Sequence, residues 1–210
     1  MLLFYIPYAG IVVYPFRIFV TFIHEASHAL AAWATGGMAA SIQIQPSGNG
    51  VTLTRGGLSL IVSSAGYIGS VSFGAFLLRL CRKPSLVKPA LAFTATIIAL
   101  TTALLIRPIF GFGFLAGLML TMCLTGGSAF LSRGTALFFL AFLAIECCLN
   151  ALFDLKTLLL LSAHSRVHTD ALNMQEATGV PALVWAVGWS MLSLVILAIS
   201  VRGFLPDQAR

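Results

Sequence analysis

Residues 11–34 read IVVYPFRIFVTFIHEASHALAAWA. The run is long enough to cross a bilayer, since about 20 residues at 1.5 Å per residue span a 30 Å hydrocarbon core. Yet it carries His24, Glu25 and His28 in its second half. Ionisable groups at such a depth are costly and face protein or a water-filled cavity, so they mark function. The fold class follows from whether the rest of the chain supplies partners for this helix, and it does. Further apolar runs cover about residues 58–80, 86–106, 108–124, 135–161 and 181–201. The expectation is an all-α polytopic membrane protein of about six transmembrane helices.

Composition agrees. Apolar residues make up 59% of the 210 and charged residues 9%, with a mean hydropathy of +1.00. Average soluble domains hold about 45–50% and 25% respectively. Such a chain is neither disordered nor a typical water-soluble enzyme. The net charge of +6 comes from basic residues scattered between apolar runs, which reads as loop charge and not as a nucleic-acid surface. Cys81, Cys123, Cys147 and Cys148 lack metal-ribbon or redox spacing and read as free thiols. The N-terminus lacks a basic n-region and a small-residue cleavage site, so its apolar run is read as retained.

Two segments between the apolar runs are polar. Residues 41–57, SIQIQPSGNGVTLTRGG, alternate apolar and polar around a Pro-Ser-Gly-Asn-Gly turn. They predict a small β-hairpin between the first and second helices. Residues 162–180 hold His164, Arg166, His168, Asp170 and Glu176 and read as a polar loop with room for a short helix. The whole of 1–210 reads as a single integral membrane domain. Arg79, Arg82, Lys83 and Lys88 flank the turn between the second and third runs. The excess of positive charge puts that turn, and both termini, on the cytoplasmic side. The hairpin and the polar loop then lie opposite, and Arg107 is the one dissenting charge. The localisation expected is a multi-pass integral membrane protein, in the inner membrane if the chain is bacterial.

The chemistry sits in H-E-A-S-H, His24 to His28. Helical residues four apart share a face, so both imidazoles reach one metal ion, and Glu25 lies beside a metal-bound water as a general base. Zinc in such a site acidifies its water and polarises a carbonyl. The expected cofactor is one zinc per chain. A catalytic zinc takes three protein ligands and keeps a position open. In the fifth run Glu146, Asn150 and Asp154 recur every four residues on one helical stripe. Asp154, a hard carboxylate inside a span, is the third ligand expected from this stripe. Asn150, one turn earlier, is placed to donate to a substrate carbonyl or oxyanion. Glu146 is given a structural role. His164, His168 and Asp170 in the polar loop are the rival ligands.

These features together resemble the site-2 protease family of intramembrane zinc metallopeptidases. The H-E-A-S-H sits in an early span with a hairpin directly after it. S-A-G-Y-I-G-S, residues 64–70, resembles the family's GxxxN/S/G element, with Gly66 and Ser70 at its ends. L-N-A-L-F-D-L, residues 149–155, resembles its third-ligand element, with Asp154-Leu155 where Asp-Gly is usual. The resemblance implies His24, His28 and Asp154 as metal ligands, Glu25 as the catalytic glutamate and Asn150 as a group that contacts substrate. It also implies that Ile42–Gln45 or Val51–Thr54 offers a strand edge to an extended substrate. The partners implied are the lipid bilayer and a membrane-protein substrate, with no nucleic acid. No PDZ-like domain fits in the chain. The competing reading is a catalytically silent binding or regulatory protein that keeps the protease fold. Four histidines are too few for a histidine-box di-iron site, and a transporter has no need of a glutamate between two ligand histidines.

Overall fold

The structure is a computed structural model. It describes residues 9–162 and 169–202, with side chains for 13–149 and 169–202. In chain order it has α1 (Ala9–Ala34), β1 (Met38–Ile44), β2 (Gly50–Arg55), α2 (Ser59–Cys81), a 3-10 turn (Pro84–Leu86), α3 (Val87–Leu104), α4 (Phe112–Phe130), α5 (Arg133–Ser162), α6 (Asp170–Thr178) and α7 (Ala182–Arg202). Helices thus form over all six apolar runs. Among the described residues, four stretches are long and apolar enough to cross a membrane: Ser59–Cys81, Pro84–Leu104, Phe112–Phe130 and Ala182–Arg202. The expected hairpin is there, starting at Met38 rather than residue 41. The expected polar loop is helical over Asp170–Thr178.

With lipid on one side and protein on the other, these helices associate through close van der Waals packing. The core runs through Phe19 and Phe22 of α1, Leu77 of α2, Leu91 and Ile98 of α3 and Leu140 of α5, all fully buried. Glycines set the closest approaches. A Cβ at Gly74 of α2 would meet the Ala144 carbonyl and the Cys147 and Cys148 side chains of α5. One at Gly117 of α4 would meet Thr102 of α3 and Phe22 of α1. Met119 and Met122 of α4 and Leu194 and Ile199 of α7 are exposed, in keeping with a lipid-facing surface. All four cysteines are free thiols.

The hairpin does not hang off the helices. After α1 ends, β1 turns back alongside it, antiparallel to β2 with Ile42 opposite Thr52 and Ile44 opposite Gly50. The turn closes through Gln45 and Asn49, and its Gly48 has φ +89, a conformation open to glycine. That turn docks halfway up α1. Tyr14 donates its hydroxyl to the Pro46 carbonyl at 2.6 Å, and Thr21 donates to the Gly48 carbonyl at 2.8 Å. Ile42 and Ile44 are buried while Val51 and Leu53 are about half-exposed, the alternation expected of a one-sided sheet.

The third and fourth apolar runs separate more widely than Arg107-Pro108 alone suggests. Helix α3 ends at Leu104 and α4 starts at Phe112. The backbone between them joins the sheet: Ile42 N–H donates to the Leu105 carbonyl at 2.8 Å and Arg107 N–H to the Ile42 carbonyl at 2.9 Å. Backbone polar groups at membrane depth must be satisfied by protein. These two bonds do so for the outer edge of β1.

Helix α6 is framed by its own signals. Thr169 caps it, its hydroxyl accepting from Leu172 N–H at 3.2 Å. Gly179 ends it in the left-handed region, φ +75. Ala171 and Met174 are fully buried against Tyr67 and Val71 of α2 and Ala186 and Trp189 of α7. Gln175 Oε1 accepts from Ala182 N–H at 2.8 Å and fastens α6 to the start of α7.

Gly74→Val puts two methyls against the α5 backbone, which cannot move aside cheaply. A loss of about 1–3 kcal/mol, read as a lower thermal midpoint in detergent, is expected. Gly126→Ala on α4, where an added Cβ meets nothing within 4 Å, is expected to leave the midpoint unchanged or raise it.

Candidate metal centre

Helix α1 brings His24, Glu25 and His28 to its inner side. Glu25 and His28 are 5% and 6% exposed, so neither is a solvated surface group. The two imidazoles lie one turn apart with ring centroids 4.8 Å from each other. Nδ1 of His28 is 2.6 Å from the Val62 carbonyl of α2. A carbonyl only accepts, so Nδ1 carries the proton, and in the neutral ring Nε2 is left as a lone-pair donor. The sequence reading had no signal for this partner, because it is a backbone atom.

The third side chain comes from α6. Oδ2 of Asp170 lies 3.3 Å from His24 Nε2 and 3.3 Å from His28 Nε2. Among the described residues these three form the group able to hold a metal ion, their ligand atoms all lying within 4.8 Å of one another. Burial pushes the Asp170 carboxyl up, but the two imidazoles beside it outweigh that. They hold the carboxyl well below the usual carboxylate range. An ionised carboxylate is the form that binds a metal.

The residues fit a small divalent cation. Two nitrogens and one carboxylate oxygen are a zinc-type donor set. Ligands bonded at about 2 Å in a tetrahedral site lie about 3.3 Å apart, which is the spacing of Asp170 from each ring. Space is kept for such a group by Gly66 of α2. A Cβ there would meet His24 Nε2 and stand 2.5 Å from His28 Nε2. Ser70, at the other end of the same element, donates its hydroxyl back to the Gly66 carbonyl at 2.7 Å. Gly69 lies against Ser27. The glycine element thus presses α2 onto the histidine face of α1.

Behind the rings stands an aromatic wall. Tyr67 meets His24 edge-on at 5.0 Å, and Trp189 stacks on Tyr67 at 5.1 Å. Trp189 in turn donates its indole N–H to Ser64 Oγ at 3.0 Å. Helices α2 and α7 therefore close one side of the centre and hold α6 over it.

Glu25 faces the hairpin. Thr52 Oγ1 of β2 lies 2.6 Å from Glu25 Oε2 and 3.0 Å from its backbone carbonyl. Gly50, two residues earlier on the same face of the strand, packs flush on the carboxylate. A Cβ there would stand 2.5 Å from Oε1. Thr52 was expected only as part of the Val51–Thr54 strand edge, and Gly50 was not among the expected site residues. The alternation of β2 and the glycine at its start were the available signals, but nothing in the chain linked them to Glu25.

The expected stripe on α5 is only partly visible. Glu146 is partly buried on that helix. The side chains of Asn150 and Asp154, and all of His164 and His168, lie outside the described residues. The carboxylate seen beside the two histidines is that of Asp170, one of the rival ligands.

No curated protein and no solved structure matches the chain. Residues 1–200 match the family model described as Peptidase M50B-like, in accord with the resemblance to site-2 proteases, and the chain belongs to that family.

Proposed function

We propose that this chain is an intramembrane zinc metalloprotease that hydrolyses a peptide bond in or near a membrane span of another protein. The observation that carries this reading is the convergence of His24, His28 and Asp170 beside a buried Glu25, in a chain of a peptidase family. Zinc would be held by His24 Nε2, His28 Nε2 and an Asp170 oxygen. When bound, it supplies Lewis acidity to a water and to the scissile carbonyl. Glu25 takes the proton from the attacking water and passes it to the leaving amine. Asn150 keeps its proposed role as a donor to the substrate carbonyl. Helices α1 and α5 are the two further spans of a six-span domain, with the basic turn around Arg82 cytoplasmic.

A substrate helix must unwind before its backbone is open to attack, and an unwound segment needs hydrogen-bond partners. The edge of β1 already serves Leu105–Arg107. Among the described residues, the outer edge of β2 has no backbone partner. Of the two edges first considered, Val51–Thr54 is the one proposed to receive the substrate strand. The half-exposed Val51 and Leu53 would contact its side chains.

Four substitutions test this reading. Glu25→Gln is expected to keep about one zinc per chain by elemental analysis. It should slow cleavage of a co-reconstituted single-span reporter by at least about 100-fold; retained activity would point to another base. Asp170→Ala is expected to weaken zinc binding by at least about 100-fold, with Asp154→Ala much milder. The reverse order would return the third-ligand role to Asp154. Gly66→Ala is expected to cut zinc affinity about tenfold, because its methyl would sit among the imidazole nitrogens. Competition with a zinc-responsive chelating dye measures it.

A further inference from the structure

We infer that Thr52 is a positioning residue for Glu25, and that β2 is the element that aims the base. The inference rests on the metalloprotease reading above. Glu25 is almost fully buried, and among the described residues the hydrogen-bond partner of its carboxylate is the Thr52 hydroxyl at 2.6 Å from Oε2. A buried carboxylate without that partner has neither its charge offset nor its torsions fixed. The same hydroxyl lies 3.0 Å from the Glu25 backbone carbonyl. It has one proton to donate, and Oε2 is the nearer acceptor. Thr52 therefore engages Oε2 and leaves Oε1 as the oxygen that accepts a proton.

Gly50 acts with it. Strand residues two apart lie on one face, so Gly50 and Thr52 meet Glu25 together while Val51 and Leu53 face away. The missing side chain at Gly50 lets the backbone lie against Oε1, Cγ and Cδ of Glu25. The carboxylate is then bracketed by a steric wall on one side and a directed hydroxyl on the other. Thr52 also lies within the strand proposed to bind substrate. Displacing that strand moves the hydroxyl and so the base, which ties strand docking to alignment of Glu25.

The probe is an aryl hydroxamate, a bidentate zinc chelator whose hydroxyl proton passes to a base next to the metal. Its binding is measured on the full chain in nanodiscs with zinc loaded, for wild type, Thr52→Val, Thr52→Ser and Glu25→Gln. Zinc content and thermal midpoint are recorded in parallel. Thr52→Val removes the hydroxyl at nearly constant volume. Its hydroxamate affinity is expected to fall about tenfold, towards that of Glu25→Gln, with zinc near one per chain. Thr52→Ser is expected to restore affinity to within about twofold of wild type. On a reporter that wild type cleaves, Thr52→Val is expected to lower kcat with little change in KM. Equal affinities for Thr52→Val and wild type, both loaded with zinc, overturn the role of Thr52 alone. So does a Thr52→Ser variant as weak as Thr52→Val. Loss of zinc or of folding in Thr52→Val, with Thr52→Ser normal in both, also overturns it, because the hydroxyl would then be structural. A wild type that takes up no zinc overturns the metalloprotease reading, and this inference falls with it.

Discussion

The fold is organised around the cost of placing two imidazoles and two carboxylates inside an apolar bundle. Each is expensive there unless it meets a partner. Every one of the four does. His28 gives its Nδ1 proton to Val62, both Nε2 atoms meet Asp170, and Glu25 meets Thr52. The partners come from β2, α2 and α6, three different elements. Close approach to the histidine face of α1 requires glycine at position 66, and close approach to its glutamate requires glycine at position 50. The polar cluster thus fixes which face of each neighbour turns inward, and lipid-facing packing, which is permissive, follows.

The hairpin answers the same constraint for the backbone. Strands at the level of a bilayer need every N–H and C=O satisfied or in contact with water. Here β1 is bonded on both sides, to β2 and to Leu105–Arg107, and the turn is pinned to α1 through Tyr14 and Thr21. This explains why the segment after α3 is not helical although its sequence is apolar. Its carbonyls and N–H groups complete a sheet edge that would otherwise be bare. The edge of β2 is left, next to the glutamate, and its threonines and Gln43 on the neighbouring strand bring polar groups to the part of the molecule where hydrolysis needs water.

How much could be read beforehand depended on whether a signal was local. His24, Glu25 and His28 lie within five residues, and helical geometry alone puts both rings on one face. The hairpin alternates around a glycine-bearing turn, and the Gly66–Ser70 element carries small residues at close-packing intervals; both were legible. The third carboxylate was not settled by such reasoning. Asp154 sits in an apolar stretch where a carboxylate is conspicuous, whereas Asp170 sits among polar residues where one is ordinary. Only the docking of α6 through Ala171 and Met174, a tertiary event, lifts Asp170 out of that background. Thr52 is still less conspicuous, since threonine is common in strands, and its meaning comes from a partner 27 positions away. Val62 leaves no trace at all, because any residue supplies the same carbonyl.

A ligand carried by a short capped helix differs physically from one carried by a membrane span. A span is held along its whole length, so its side chains are fixed by many neighbours. Helix α6 has nine residues, too few to be stable alone, and is held by two buried side chains, the Thr169 cap and the Gln175 link to α7. Its position, and with it that of Asp170, is therefore set by contacts with α2 and α7. Those are the helices that also carry the Tyr67–Trp189 wall beside His24. Anything that shifts α7 against α2 acts on the ring of His24 and on the Asp170 carboxylate at once. Glu25 is held instead by β2. The metal-binding group and the base are thus supported by different elements, and five consecutive residues of α1 hold the two in register.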